Sequence, residues 1–400
     1  YEPVLEPETA IGHASIIHPE TDLLTHFDFG CQPDQNIAGV YETGFGDLDK
    51  AMAECDVFVE EVYTSQAQAH AMMETYRSRA FMDADGRLTI VTATQIPFHV
   101  RRIAARALDM KEADIRVIKP RIGGGFGGKQ TVATELFAAL VTLKTGKPCK
   151  VIFSRKESFS ASSSRHAMRF KVRLGATCEG RIRGIELEAL SDTGAYGEHA
   201  WTVLSVAGHK SLPLYNGAIA ARYKGKAVYT NKMPAGALRG YGVTQAIFAL
   251  ESAVNELAHK LEMDPAELRL KNIIQQGETH PILEGTKPGV PVTLDSCTLA
   301  ACIRKGQAMI GWDEKYPAYE VDADRTRGIG MAISMQGSGI AEVDTASAEI
   351  TCFGEDQYVL NIGAADMGTG CDTILAQMAA DALKIPMSAI TVKTGDTDTM

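Results

Sequence analysis

The run Arg121-Ile-Gly123-Gly-Gly125-Phe126-Gly127-Gly128-Lys129-Gln130 is the densest candidate for chemistry in this chain. A strand is expected before it and a helix after it, so its backbone N–H groups and a helix N-terminus could together receive an anion. Gly123, Gly125 and Gly128 satisfy the dinucleotide fingerprint GxGxxG, with Glu157 a few residues beyond the place of a ribose-binding acid. The same residues nearly satisfy a P-loop, but Gln130 stands where a Mg²⁺-binding Ser or Thr is required. That absence argues against a triphosphatase, while a Rossmann nucleotide site and a structural turn both stay open on this motif. Thr94-Gln95-Ile96-Pro97 and Asp366-Met367-Gly368-Thr369-Gly370 each place polar or glycine residues between a strand and a helix. Gly236-Ala-Leu-Arg239-Gly240-Tyr241-Gly242 adds a guanidinium able to clamp an oxyanion bidentately. Corners of this kind suit a long polyanionic ligand held between repeats.

Elements that could position these residues follow from periodicity. Alternation from Asp56 (DVFVEEVYTSQ) predicts a strand, and Leu88–Thr94 predicts another. Val100, Ile103, Ala104 and Ala107 give Phe98–Leu108 helical spacing. A strand at Ile115–Lys119, a helix at Thr131–Leu143 and a strand at Cys149–Phe153 complete βαβ-like alternation. Long strands are expected at Arg169–Ala176 and Ile182–Ala189. Helices are expected at Ala246–Leu261 and from Pro265. Gly285–Thr293 reads as a loop, and Ile329–Met335, Ser347–Phe353 and Tyr358–Ile362 as strands of a new unit. Residues 103–117 align without gaps to residues 378–392, an offset of 275, with identities at Ala104, Ala105, Ala107, Leu108, Ile115 and Val117. The expected class is α+β, built from a duplicated strand–loop–helix–strand unit. In this alignment Thr369 maps to residue 94 and Gly370 to residue 95.

Composition narrows the function classes. The 400 residues are 45% hydrophobic and 22% charged, as expected of a globular chain with more than one core. No apolar run approaches a membrane span. Residues 1–61 hold fourteen acids against one base, Lys50, which leaves a near-neutral body with no basic stripe for nucleic acid. Eight scattered cysteines without any CxxC exclude zinc-ribbon and ferredoxin-type spacing, and suit free thiols in a reducing cytoplasm.

Jointly, His70-Ala-Met-Met-Glu74, Thr94-Gln95, Gly123–Gln130, Arg239–Gly242 with the helix running on to Met263-Asp-Pro265, and Met367–Gly370 resemble one known family. They resemble the molybdenum-binding subunit of the molybdenum hydroxylases, the xanthine oxidase family, and most closely its bacterial xanthine dehydrogenases. The resemblance covers about residues 35–400. It implies mixed α/β molybdopterin-binding domains: an acidic connector at 1–35 following an absent N-terminal domain, a first cofactor domain at 36–325, and the truncated start of a second at 326–400.

The resemblance further implies site roles. Gln95 would hydrogen-bond an oxygen on the metal, Arg239 would lie beside it, and both would serve catalysis. Gly125, Phe126 and Gly127 would present backbone to the pterin, with Gly368 and Thr369 on its far side. Gln130 and Tyr241 would contact substrate, and Lys210 lies near the position of a substrate-binding Arg of some relatives. No protein side chain would ligate the metal directly. The implied cofactor is molybdopterin with molybdenum, its cytosine dinucleotide form being an alternative, with FAD and [2Fe-2S] centres on partner subunits. The implied reaction is hydroxylation of an electron-poor carbon in a purine or other N-heterocycle. Where purine-oxidising members commonly have Glu, Gln130 cannot supply a negative charge, so xanthine itself is not singled out. The general-base Glu of relatives lies beyond residue 400, and neither Glu74 nor Glu135 is given that role. The chain alone is therefore expected to hydroxylate nothing and to need the remaining part of its molybdenum subunit within an oligomer. The competing readings are a Rossmann-type NAD-dependent dehydrogenase and a non-catalytic scaffold in a redox complex.

Overall fold

The computed structural model describes residues 2–19, 29–284, 291–336, 346–354 and 357–399. The chain forms two compact units interleaved along the sequence. One comprises Tyr1–Ala67, His166–Ala235 and Gly240–Ala341; the other comprises Gln68–Arg165, Gly236–Arg239 and Glu342–Met400.

The first unit is built on a five-stranded sheet in the order Ile37–Phe45, Ala220–Val228, Ile182–Asp192, Ala167–Ala176, Val57–Ser65. Met168, Phe170, Val172 and Leu174 alternate into the core while Arg169, Lys171 and Arg173 do not, which is the period of a half-buried strand. Ile182–Asp192 and Ala220–Val228 run parallel, with helix Ala200–His209 between them in sequence. Helix Val243–Lys260 buries Ala246, Ala249, Leu250, Ala253, Val254 and Leu257 on one stripe. Helix Pro265–Asn272 starts on Asp264, whose carboxylate accepts from Ala266 N at 2.7 Å. The acidic N-terminal segment is anchored in this unit: Val4 and Ala10 are buried against Val228, and the Asn36 side chain bonds Ala10 O, Ser15 O and Ile17 N.

Two expectations change here. Ile329–Met335 is not a strand: it packs its apolar side chains on the core, and Ile333 N donates to Glu251 at 2.7 Å instead of to a neighbouring strand. In the loop expected at 285–293, Pro291–Thr293 is a strand paired with Thr279–Glu284; residues 285–290 lie outside the described residues.

The second unit carries the duplication, and the repeat extends further than the aligned residues. Hairpin Arg77–Met82/Leu88–Thr92, helix Pro97–Leu108 and strand Ile115–Ile118 recur as hairpin Ala348–Cys352/Tyr358–Ile362, helix Cys371–Leu383 and strand Ile390–Thr394. In both copies the last strand lies parallel to the second hairpin strand. Asp109 and Lys384 both end their helices at positive φ, with Met110 N on Ala105 O and Ile385 N on Ala380 O. The hairpins match at an offset of 270 and the helix–strand parts at 275, so the second copy has the longer strand-to-helix loop, and that loop holds Asp366–Gly370. Arg116 pairs with Asp396 and Arg87 with Asp398, both at 2.6 Å, tying one copy to the other.

In the first unit Arg269 is fully buried and pairs with Glu251 at 2.8 Å, while Tyr215 OH and Ile333 N also donate to that carboxylate. Removing one partner strands a buried charge, so Glu251→Gln is expected to cost about 3–5 kcal/mol of this unit's stability. Denaturant unfolding followed by tryptophan fluorescence checks it, since both Trp201 and Trp312 lie in this unit.

Candidate functional site

Residues 119–134 hold neither helix nor strand, with a turn at 126–129, and the helix after the glycine run is Glu135–Thr145, beginning later than the sequence suggests. Its N-terminus is closed by its own first residue. Glu135 Oε2 accepts from Ala133 N at 2.8 Å and Thr134 N at 2.9 Å, while Oε1 accepts from Thr92 Oγ1 at 2.6 Å. A buried carboxylate therefore occupies the terminus where a Rossmann fold would receive pyrophosphate. The dinucleotide reading of Gly123–Gly128 is thereby corrected: the spacing matches, but the loop leads into turns and not into a helix dipole.

The loop is held from below by the segment His70–Tyr76. Lys129 is 1% exposed, and its ammonium pairs with Glu74 Oε2 at 2.8 Å. The same Oε2 accepts from Gly123 N at 2.8 Å. Burial pushes the Glu74 carboxyl up, but the Lys129 ammonium and the Gly123 amide outweigh it and hold the group below the usual carboxylate range. Burial also lowers Lys129, against the pull of Glu74. Tyr76 OH donates to Gly128 O at 3.0 Å, and His70 Nε2 lies 2.6 Å from Ala237 O. A carbonyl only accepts, so His70 Nε2 carries the hydrogen of this contact, and burial holds the imidazole below its ordinary pKa.

Above this clamp, separated residues converge. Gln95 Oε1 accepts from Gly127 N at 3.0 Å, and Gln95 N donates to Lys129 O at 2.9 Å. A Cβ on Gly125 would strike the Gln95 carboxamide; one on Gly127, at φ +101°, would sit 2.6 Å from Ala237 O. Only glycine allows the backbone this close. Phe126 is held at φ 54° with its ring half exposed, and its carbonyl accepts from Arg239 N at 3.0 Å. Arg239 O in turn accepts from Arg165 Nη2 at 2.9 Å, and the Arg239 side chain is exposed. Gly124 N donates to Met367 O at 3.2 Å, and Lys119 Nζ to Asp366 O at 3.1 Å, which brings the second-copy loop onto the corner.

Gln95, Gly125, Phe126, Gly127 and Arg239 thus share one corner, with Gly368 and Thr369 on the adjoining loop. The amides of Gly368, Thr369 and Gly370 turn back to Asp366 Oδ1, at 2.7, 3.1 and 3.4 Å, so this loop offers side chains and carbonyls before amides. Asp366, Cys371 and Asp372 lie within ligating distance of one another, but the Asp366 carboxylate is already taken by backbone amides. Gln130 is half-buried beside the corner, its amide on Gly127 O. Tyr241 (φ 46°, ring 6.0 Å from His199) and Lys210 belong to the other unit. Sequence reasoning missed His70, Tyr76 and Arg165 as supports and left Lys129 unpartnered. A lysine inside an otherwise uncharged glycine turn was the available signal that an acid must face it.

Models of the molybdopterin cofactor-binding domain match residues 30–273 and 305–400. The chain belongs to this family. It is 37% identical over 94% of its length to "Probable hypoxanthine oxidase XdhD" of Escherichia coli O157:H7, of which it spans 39%. It is 37% identical over 88% of its length to the "Putative xanthine dehydrogenase molybdenum-binding subunit XdhA" of Escherichia coli K12, spanning 46% of that protein. Among solved structures, aldehyde oxidoreductase from Desulfovibrio gigas superposes with a TM-score of 0.84 at 25% identity, over 100% of this chain and 42% of that one. The chain spans less than half the length of these relatives. The fold is that of the xanthine oxidase family, with its duplicated mixed α/β architecture.

The corner fits the molybdenum cofactor of the family. The amides of Gly125 and Phe126 have no acceptor among the described residues. A pyranopterin offers ring heteroatoms and phosphate oxygens to such donors. No helix among the described residues is long and apolar enough to cross a membrane.

Because Lys129 cannot reach water, Glu74→Gln is expected to destabilise the second unit by about 3–5 kcal/mol, and adding Lys129→Met to recover much of the loss. The Glu74 contribution is present above the unfolded carboxylate value of about 4.3 and fades as pH falls through its lower folded value, so the Tm gap between wild type and Glu74→Gln should close in acid. Thermal melts of the single and double variants between neutral and strongly acidic pH measure both effects.

Proposed function

We propose that the chain is the cofactor-holding part of a molybdenum hydroxylase that oxidises a purine or related N-heterocycle, passing electrons to [2Fe-2S] and FAD centres on partner subunits in the cytoplasm. The cofactor is molybdopterin, with the cytosine dinucleotide form as its variant. The supporting observation is the convergence of Gln95, the Gly125–Gly127 backbone and Arg239 on one corner, with two loop amides left to donate. When bound, the cofactor supplies a Lewis acid and a two-electron acceptor for hydroxylating an electron-poor ring carbon.

The chain's own residues bind and orient. Gln95 Oε1 is committed to Gly127 N, so its Nε2 hydrogens are the ones free to meet an oxygen on the metal. Gly125 and Phe126 would donate backbone hydrogen bonds to the pterin, and Gly127 would present its backbone beside them. Phe126 O fixes the Arg239 backbone, which sets where the guanidinium can reach. Gly368 and Thr369 would border the cofactor's far side and Gln130 would contact the substrate ring, while Tyr241 keeps the substrate role that the resemblance alone gives it. Glu74 and Glu135 are spent on Lys129 and on a helix end, and neither serves as a base. Residues 36–325 and 326–400 are assigned to the first and second cofactor domains.

In the complete enzyme, Gln95→Ala and Arg239→Ala are each expected to lower turnover of a purine substrate tenfold or more, about 1.4 kcal/mol of transition-state stabilisation. Steady-state kinetics beside molybdenum and pterin analysis test this. Unchanged rates at full metal content would remove both residues from the site, and a complex devoid of molybdenum would overturn the reading itself.

A further inference from the structure

The direction of a side chain is set by the two peptide planes that flank its Cα, because φ and ψ fix where the Cα–Cβ bond points. At Arg239 both planes are held by other segments. On one side Arg239 N donates to Phe126 O at 3.0 Å. On the other, Arg239 O accepts from Arg165 Nη2 at 2.9 Å. The residues before it are tied down as well: Gly236 N donates to Ser164 O at 2.8 Å, and His70 Nε2 donates to Ala237 O at 2.6 Å. Gly236, Ala237, Leu238 and Gly240 are buried, while Arg239 is exposed and its guanidinium has no acceptor among the described residues. A pinned backbone that leaves one guanidinium uncommitted is built to present it.

Arg165 is fixed from behind in its turn. Its N donates to Gln68 O at 2.9 Å, so one side chain ties the Arg239 carbonyl to the same segment, Gln68–His70, that holds Ala237. Burial pulls the Arg165 guanidinium below its ordinary value, so its charge is kept inside the unit at a cost, and Arg239 O is one acceptor that answers it. A guanidinium suits this task better than an ammonium. Its donors lie in one rigid plane, whereas a lysine would reach the same oxygen from several rotamers.

We propose that Arg165 is a positioning residue of the cofactor corner and acts through Arg239: its bond to Arg239 O sets the angle at which the Arg239 guanidinium is delivered into the corner. The proposal rests on the molybdenum-subunit reading for the task of Arg239, and on the contacts above for the link between the two arginines. Delivery needs this control, since a misplacement of about 1 Å at a reacting centre costs up to about 100-fold in rate.

The test is a double-variant cycle in the complete enzyme, with rates taken per bound molybdenum. Arg165→Met should lower kcat about tenfold and change KM less than about threefold. In an Arg239→Ala background, adding Arg165→Met should lower kcat less than about twofold further, because the residue it acts through is already gone. Arg165→Lys keeps the charge but not the planar fork, and should show the same pattern with a smaller loss if the methionine variant does not fold. Amide exchange over residues 236–240, in enzyme made without the cofactor, should quicken about tenfold in the Arg165 variant, while helix Glu135–Thr145 keeps its wild-type rate. Losses that multiply in the double variant, or unchanged exchange at 236–240, overturn the proposal and leave Arg165 as one more support of the unit's stability. Wild-type enzyme devoid of molybdenum and pterin would instead sink the functional reading, and the exchange experiment would still decide the link between the arginines, so the two failures are told apart.

Discussion

A lysine ammonium sealed from water has to be answered by a carboxylate, and in this protein that requirement organises the site. Lys129 sits at the end of the glycine run with almost no exposed surface, and Glu74 meets it from a segment more than fifty residues earlier. Burying an unpaired ammonium would cost several kcal/mol, so the two segments must close on each other whenever the unit folds. Once closed, the Glu74 oxygen that holds Lys129 also fixes the Gly123 amide, which sets the start of the loop, while Tyr76 fixes Gly128 near its end. The turn between them has little freedom left. Phe126 is carried into the left-handed region, and its carbonyl collects the Arg239 backbone.

This arrangement suits a protein whose reactive centre is a cofactor. A large polar heterocycle is best held by many fixed backbone donors, which need no rotamer ordering when it binds and carry no bulk. Glycines at positions 125 and 127 serve that end by letting the protein close on itself: a methyl group would meet the Gln95 carboxamide at the first and the Ala237 carbonyl at the second. The second copy of the repeat adds its longer loop to the same corner through Met367 and Asp366. The two copies thus meet at one corner, and the second contributes a loop five residues longer than its counterpart.

Much of this was legible in the residues. The repeat could be read because a helix ending at a left-handed residue, followed by a short turn and a buried strand, leaves the pattern of Ala104, Ala105, Leu108, Ile115 and Val117 in both copies. The strands expected at Arg169–Ala176 and Ile182–Ala189 run over Ala167–Ala176 and Ile182–Asp192, and the Asp264-Pro265 pair marked a helix start. The reading failed where tertiary contacts override local pattern. Ile329–Met335 has a strand's composition, yet its amide hydrogen bond goes to a buried carboxylate. The glycine run has a dinucleotide spacing, yet Glu135 closes the helix behind it.

The sequence by itself determined the family, the duplicated α+β architecture and the short list of residues from which the site is drawn, because these depend on side-chain type and on spacing within a few turns of chain. Tertiary structure alone decided which acid neutralises Lys129, which way the Gln95 carboxamide points, and that the Asp366 loop spends its amides on itself. Those outcomes depend on distances between segments far apart in the chain, and electrostatic and hydrogen-bond energies are set by those distances.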